Sequence, residues 1–127
     1  MKMTMDAAAF QKLVLDEFPV LREDFEAWDD LVHLQVMEFL RFTQAAIEAR
    51  SFDVVSKCFE IANAALIQGN DGLRNAICVS YLEHLDLRSD AGKEAARLMP
   101  AELERARNHV FDYVEQLIGR KRPEDDR

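Results

Sequence analysis

The sequence predicts an all-α fold, a single domain of about six to seven antiparallel helices. Apolar residues recur at helical spacing along nearly the whole chain. The sequence shows no sustained alternation of apolar and polar residues, and the turn-like pair Asp71-Gly72 is followed by a helical pattern rather than a strand. With 127 residues, of which 49% are hydrophobic and 31% charged, the chain is long enough to bury one core.

Pro19 separates the first two predicted helices. The first is expected over residues 5–18, capped by Thr4, because the residue before a proline avoids helical geometry. Pro19 itself suits the first turn of a second, short helix that reaches about Ala27. The acids Glu23 and Asp24 fall near the start of that helix, where the helix dipole favours them.

The third predicted helix is long and covers about residues 30–49, with Asp29 or Asp30 as its cap. Apolar residues occupy several of its faces, which predicts burial on more than one side. Its polar positions form one stripe, Gln35, Glu38, Arg41, Gln44 and Glu48.

Four more helical segments follow, each with its own start and stop signals. The fourth is expected over residues 52–67 between Ser51 and Gly69, and the fifth over residues 72–85 after a cap at Asn70 or Asp71. The sixth is expected from Ser89 or Asp90 to about residue 98, and the last over residues 100–118, ended by Gly119. Short connections predict antiparallel neighbours, either in a bundle or in a short HEAT-like stack. The expected domain is residues 1–119, followed by a disordered charged tail at residues 120–127.

The chain carries a net charge of −8, and its most charged stretch is residues 16–30, here called the acidic segment. This segment holds seven carboxylates against Arg22 alone, and also the only tryptophan, Trp28. Self-repulsion of this kind is retained where a positively charged partner uses it. The candidate partner-binding residues are Asp24, Glu26, Trp28, Asp29 and Asp30, with Asp71 beyond the segment.

The acidic segment also has a structural interpretation. Its carboxylates could serve only solubility, with Asp29 or Asp30 capping the third helix. Trp28 could be a half-buried packing residue, although a tryptophan flanked by acids at a helix junction is also typical of an interface anchor with a charged rim. The sequence leaves both interpretations open.

Composition excludes some classes of partner. The acids in excess lie in residues 1–90, which disfavours nucleic acid and anionic membranes because both attract positive charge. No apolar run approaches the roughly 18–20 residues of a membrane span, and the start, MKMTMDAAAF, is not expected to be a signal peptide. Cys58 and Cys78 fall in apolar helical patterns, which predicts buried, reduced thiols in the cytoplasm; a disulfide between them is the alternative.

The sequence offers no motif for catalysis, a metal or a cofactor. The three histidines are widely spaced, and no glutamate is followed by histidine three positions on. Thr43, Ser56 and Ser80 are expected mid-helix without a neighbouring base. The protein is therefore predicted not to be an enzyme.

Three segments carry a resemblance. They are EFPVLRED at residues 17–24, LVHLQVMEFLRF at residues 31–42, and KCFEIANAAL with GNDGLRNAICVSYLEHL across residues 57–85. In order and spacing they resemble a family of small, acidic, all-helical bacterial proteins with no assigned biochemical function. Proteins of this kind are similar to the immunity proteins of bacterial toxins, so the resemblance implies binding to a toxin rather than catalysis.

The leading hypothesis is thus a non-catalytic protein-binding module, a cytoplasmic immunity protein that occludes a cationic toxin. One alternative is a homodimeric structural or adaptor protein, and another is a small enzyme with an unrecognised site. A basic protein is the expected partner in the first case.

Overall fold

The computed structural model describes residues 4–118, with side chains to residue 110. Within that range it contains seven α-helices, a 3₁₀ turn at Pro19–Leu21 and a π-helical segment at Ile77–Leu82, and no strand beyond one isolated bridge. The prediction of an all-α fold is confirmed, and the predicted tail lies outside the described residues. The helices are α1 (Ala7–Glu17), α2 (Arg22–Ala27), α3 (Val32–Glu48), α4 (Phe52–Gln68), α5 (Asp71–Ala76), α6 (Asp90–Ala96) and α7 (Ala101–Ile118).

α1 begins two residues later than the sequence predicts. Asp6, not Thr4, is its cap, and the Asp6 carboxylate accepts a hydrogen bond of 2.8 Å from the backbone N–H of Ala9. Met5 is unavailable to the helix because its backbone pairs with the joint between α4 and α5. The Met5 N–H donates to the carbonyl of Gln68 at 2.7 Å, and the Asn70 N–H donates to the carbonyl of Met5 at 2.8 Å.

The start of α3 also differs from the prediction. Neither Asp29 nor Asp30 caps it; Leu31 occupies the cap position and makes no side-chain capping bond. Asp30 instead adopts a left-handed backbone with φ of 65°, which turns the chain between α2 and α3. An aspartate tolerates that conformation better than most residues, so the same residue type serves a turn here rather than a cap.

One member of the predicted polar stripe of α3 is buried. The Gln35 side chain donates to the carbonyl of Phe25 at 3.2 Å and to the Gln11 side chain at 3.3 Å. A buried amide is costly unless its donors are bonded, and these two bonds supply partners. Gln35 therefore holds α1 and α2 against α3.

α3 ends in a Schellman motif in which the left-handed position is occupied by Arg50 and not by a glycine. Arg50 is left-handed, with φ of 58°, and its N–H donates to the carbonyl of Ile47 at 3.0 Å. The Ser51 N–H reaches back to the carbonyl of Ala46 at 2.9 Å. This pair of bonds reverses the chain into α4, where Ser51 stands at the cap position but makes no side-chain capping bond.

α5 is capped by Asn70, one of the two predicted residues, whose side chain accepts from the N–H of Leu73 at 2.9 Å. The helix then widens into the π-helical segment, where the Glu83 N–H donates to the carbonyl of Cys78, five residues back, at 3.1 Å. The wider turn directs Ile77, Ser80, Tyr81 and Leu82 inward. Cys78 is left half-buried, contrary to the expectation that both thiols are buried.

Contacts between side chains establish how the central helices run. Three residues of α3, His33, Thr43 and Gln44, contact Ser80, Tyr81 and Asp86 in ascending order, so the chain over residues 80–86 advances in the same direction as α3. Two successive chain reversals, before and after α4, produce that arrangement. α4 packs against α1, α3, α5, α6, α7 and the π-helical segment. A helix with so many neighbours indicates a bundle, because a linear stack limits contacts to adjacent repeats.

The core is continuous through the bundle. Its largest fully buried side chains are Phe10, Phe25, Phe39, Phe59, Ile47, Leu73, Ile77, Tyr81, Leu82, Leu85 and Leu103. Phe39 stacks on Tyr81 with ring centroids 5.3 Å apart and meets Phe10 edge-on at 5.7 Å. These contacts join α1, α3 and the π-helical segment, so the elements that carry the acidic segment rest on a well-packed base.

Candidate partner-binding surface

The acidic segment runs from the last turn of α1 through α2 to the turn before α3. Two of its seven carboxylates are paired: Asp16 with Lys12 at 2.7 Å, and Glu17 with Lys57 of α4 at 2.6 Å. The Glu17 carboxylate raises the pKa of Lys57, chiefly through this hydrogen bond. These two acids therefore belong to the α1–α4 contact as much as to the acidic segment.

The other five carboxylates are solvated. Each is exposed, and none forms an ion pair or a side-chain hydrogen bond with another side chain that the structure describes; they are Glu23, Asp24, Glu26, Asp29 and Asp30. Only Glu23 and Asp24 lie in the first turn of a helix, where they interact favourably with the dipole. Capping therefore does not explain Glu26, Asp29 or Asp30.

Trp28 has features of both interpretations, the half-buried packing residue and the interface anchor. Its ring is 37% exposed, and its Nε1–H donates to Glu38 of α3 over a long 3.4 Å. Glu38 also accepts from Arg41 at 2.8 Å, which holds the acceptor in place. The indole is thus bonded to α3, while more than a third of the residue stays accessible to a partner.

Two exposed apolar residues accompany Trp28, and sequence reasoning did not single them out. Val20 is 74% exposed in the 3₁₀ turn, and Leu31 is 50% exposed at the start of α3. Leu31 occupies the cap position before α3 begins at Val32, so the helical period does not direct its side chain into the core. Exposed apolar side chains interspersed with charged ones are typical of protein-binding surfaces.

Asp71 lies apart from the acidic segment. It is exposed at the start of α5, beside the bridge between Met5 and Gly69. That bridge lies at the amino end of α1, whereas the acidic segment begins at its carboxyl end. The 11 residues of α1 separate the two by about 16 Å.

A groove between α1 and α4 adjoins the acidic segment. It has a volume of about 310 Å³ and is lined by Leu13, Asp16, Glu17, Lys57, Glu60, Ile61 and Ala64. A second groove, of about 360 Å³, lies between α1 and α2 and is lined by Ala8, Gln11, Lys12, Leu15, Asp16 and Arg22. Both share Asp16, and only the first combines an apolar floor with several carboxylates.

One polar pair contradicts the expectation that Ser80 has no neighbouring base. The Oγ of Ser80 lies 2.8 Å from Nδ1 of His33. However, Ser80 is only 6% exposed, and neither of the two grooves reaches it. The pair therefore joins the first turn of α3 to the π-helical segment, a contact between residues 47 positions apart that spacing could not reveal.

The two cysteines are free thiols. Burial raises the pKa of the Cys58 thiol to about 11, and a hydrogen bond with Thr43 opposes part of that shift. Burial also raises the pKa of Cys78, with Arg74 opposing it. A thiol with a raised pKa is a poor nucleophile, so neither has the character of a reactive cysteine.

No group of three or more His, Cys, Asp and Glu side chains among the residues that the structure describes could hold a metal ion. Among the helices described, none is both long and apolar enough to cross a membrane.

A family model for a domain of unknown function, DUF7674, matches residues 12–117. The chain belongs to the DUF7674 family. The match covers α1 from Lys12 and every later helix, so the acidic segment and both walls of the α1–α4 groove are part of the DUF7674 domain. No curated protein and no solved structure matches the chain.

Proposed function

We propose that this DUF7674 protein is a non-catalytic protein-binding module, and more specifically a cytoplasmic immunity protein that occludes a cationic bacterial toxin. The observation that carries the proposal is that five solvated carboxylates and the exposed side chains of Val20, Trp28 and Leu31 all lie within residues 20–31. The resemblance of the chain to small acidic immunity-like proteins supports the more specific form.

The mechanism follows from the charges and the apolar side chains. The carboxylates attract a basic surface over a distance set by the ionic strength, which raises the association rate by roughly 10–1000-fold at low salt. Trp28 and Leu31 then lose their remaining exposure to water, which slows dissociation. Blocking the toxin requires no chemistry, because a bound protein excludes the toxin's substrate from its surface.

Like charges disfavour the homodimeric alternative at this surface. If two copies met through the acidic segment, the five uncompensated carboxylates of one copy would face and repel the five of the other. A basic partner removes that repulsion instead. The proposal therefore assigns the surface to a different protein.

The test uses the protein encoded by the neighbouring reading frame as the probe. Its association with the full chain is measured across a range of salt concentrations, for the native protein and for a variant with Asp24, Glu26 and Asp29 changed to Lys. Asp30 is changed to Asn in the same variant, because asparagine tolerates the left-handed φ of 65° that a lysine would strain. The variant should associate at least tenfold more slowly at low salt, with a flatter salt dependence.

A control variant changes three charges elsewhere. Glu48, Glu94 and Glu104 are exposed and lie on α3, α6 and α7. Glu48 ends α3, and Glu94 pairs with Arg50 beyond it, about 25 Å from the acidic segment at the start of that 17-residue helix. Changing all three to Lys should leave most of the association rate intact. Equal slowing by both variants would show that net charge alone acts, and an unchanged rate in the first would overturn the proposal.

A further inference from the structure

The α1–α4 groove combines an apolar floor with a charged rim. Leu13, Ile61 and Ala64 form the floor, and the Leu13 side chain is 37% exposed. Asp16, Glu17 and Glu60 stand around it with Lys57 as the one base. The lining therefore carries a net charge of −2, and it leaves apolar surface in contact with water.

The carboxylates of the rim are not equivalent. Glu17 is neutralised by Lys57, and Asp16 is paired with Lys12, whose side chain is 77% exposed. Glu60 is exposed and has no ion pair with a described side chain. An incoming cation would thus find Glu60 available, and would compete with Lys12 for Asp16 in a pair that is worth little at the surface.

We propose that this groove receives a basic segment of the partner, in which an aliphatic side chain lies on Leu13, Ile61 and Ala64 and a flanking arginine or lysine pairs with Glu60 or Asp16. This inference rests on the proposed function and assigns its partner a second point of contact. Charge complementarity selects the occupant, because an acidic or neutral segment would leave the rim uncompensated.

Size and position agree with that occupant. A volume of about 310 Å³ is at the lower end of the roughly 300–1,000 Å³ of ligand pockets, which suits one or two side chains better than a cofactor. Asp16 and Glu17 belong both to the groove and to the acidic segment. A partner bound at Trp28 can therefore extend along the end of α1 into the groove.

The probe for the experiment is an acetylated and amidated peptide, Gly-Arg-Leu-Leu-Arg-Gly, added to the isotope-labelled full chain. Backbone amide resonances of Leu13 and Ala64 should shift as it binds. Two matched peptides separate the contributions, one with serine in place of leucine and one with glutamate in place of arginine. Each should bind about tenfold more weakly or not at all.

Two variants test the groove directly. Ala64→Leu fills the floor with a residue that also favours helix, and Glu60→Lys reverses the unpaired carboxylate. Each should weaken peptide binding about tenfold. Glu48→Lys makes the same change in net charge at the far end of α3 and should leave peptide binding unchanged. Circular dichroism checks that all three variants are folded.

The outcomes separate this inference from the proposed function. Peptide-induced shifts confined to the acidic segment, or binding indifferent to both Ala64→Leu and Glu60→Lys, overturn the groove while leaving the acidic segment as the binding surface. Shifts at Leu13 and Ala64 that follow the concentration of the chain itself would show that a second copy occupies the groove, and also overturn it. Groove binding of the peptide, with a neighbouring-gene product that ignores the acidic-segment variant, would refute the proposed function alone.

Discussion

Cys58 lies in a small polar group enclosed by the core. Thr43 donates to the carbonyl of Phe39 at 2.9 Å and accepts from the hydroxyl of Tyr81 at 3.0 Å, and it also bonds Cys58. Burial raises the pKa of both Cys58 and Tyr81 because neither anion can be solvated there. The group is therefore stable only in its neutral form.

This predicts a loss of stability in alkali. The pKa of the Cys58 thiol is 9.0 when it is free in water, as in the unfolded chain, and about 11 in the folded protein. The neutral thiol's contribution to the free energy of unfolding is fully present below pH 9. It is lost as the pH rises from 9 to 11, which lowers the free energy of unfolding by about 2 kcal/mol. Urea unfolding at a series of pH values measures it. Cys58→Ala should flatten the decline in part, with Tyr81 and Cys78 contributing to the remainder; equal slopes in both proteins would contradict the assignment.

At the level of the helices, the sequence located some helix boundaries and missed others, for physical reasons. α4 was predicted to within one residue because Gly69 and the strong apolar period of the helix mark its end. The start of α3 was missed because an aspartate before a helix favours both a cap and a left-handed turn, and the local sequence does not decide between them. The π-helical segment depends on Tyr81 meeting Phe39 and Thr43 of α3, which is a tertiary contact.

The same limits apply to the candidate surface. Charge alone predicted that Asp24, Glu26, Asp29 and Asp30 face water, since unpaired acids are rarely buried. The exposure of Val20 and Leu31 and the α1–α4 groove were not predicted. Both arise from how α1 and α2 pack on α3 and α4, and no local pattern encodes that packing.

Two glycines at the starts of short helices should respond oppositely to alanine. A Cβ on Gly92 of α6 would lie 2.6 Å from the Cα of Leu87, so the chain before α6 would have to move. A Cβ on Gly72 of α5 would meet only the Asn70 side chain, at an ordinary 3.7 Å. Gly92→Ala should cost more than about 2 kcal/mol, and Gly72→Ala should stabilise by about 0.5–1 kcal/mol.

Thermal or urea unfolding of the two glycine variants measures the difference. Gly72→Ala serves as the control for the general effect of removing a glycine from a helix. If Gly92→Ala proved neutral, the close approach of α6 to Leu87 would be wrong.

At the scale of the whole molecule, the net charge is −8, and the acidic segment alone carries seven carboxylates against Arg22. Ion pairs such as Lys12–Asp16, Arg50–Glu94 and Arg105–Glu102 join groups that are both exposed, and such pairs contribute little. Repulsion within the acidic segment is then the larger electrostatic effect on folding. Its relief should dominate the response to salt.

We accordingly expect sodium chloride to stabilise the protein. Between about 0.01 and about 1 M, the Debye length falls from about 30 to about 3 Å, which screens the five solvated carboxylates from one another. The urea midpoint should rise over this range in the native protein. In the variant with Asp24, Glu26 and Asp29 changed to Lys and Asp30 to Asn, the rise should be much smaller. A midpoint that falls with salt would show that ion pairs, rather than repulsion, dominate.

The backbone bridge between Met5 and the α4–α5 joint has a practical consequence. An amide hydrogen without a bonded acceptor exchanges quickly, because it is open to water. Here the amide of Met5 is bonded to Gln68, and that of Asn70 to Met5, so both should exchange slowly. A bulky fusion or a deletion close to residue 5 would free the carbonyl of Gln68 and the amide of Asn70 together. A fusion partner placed close to residue 5 is therefore expected to disturb the joint between α4 and α5.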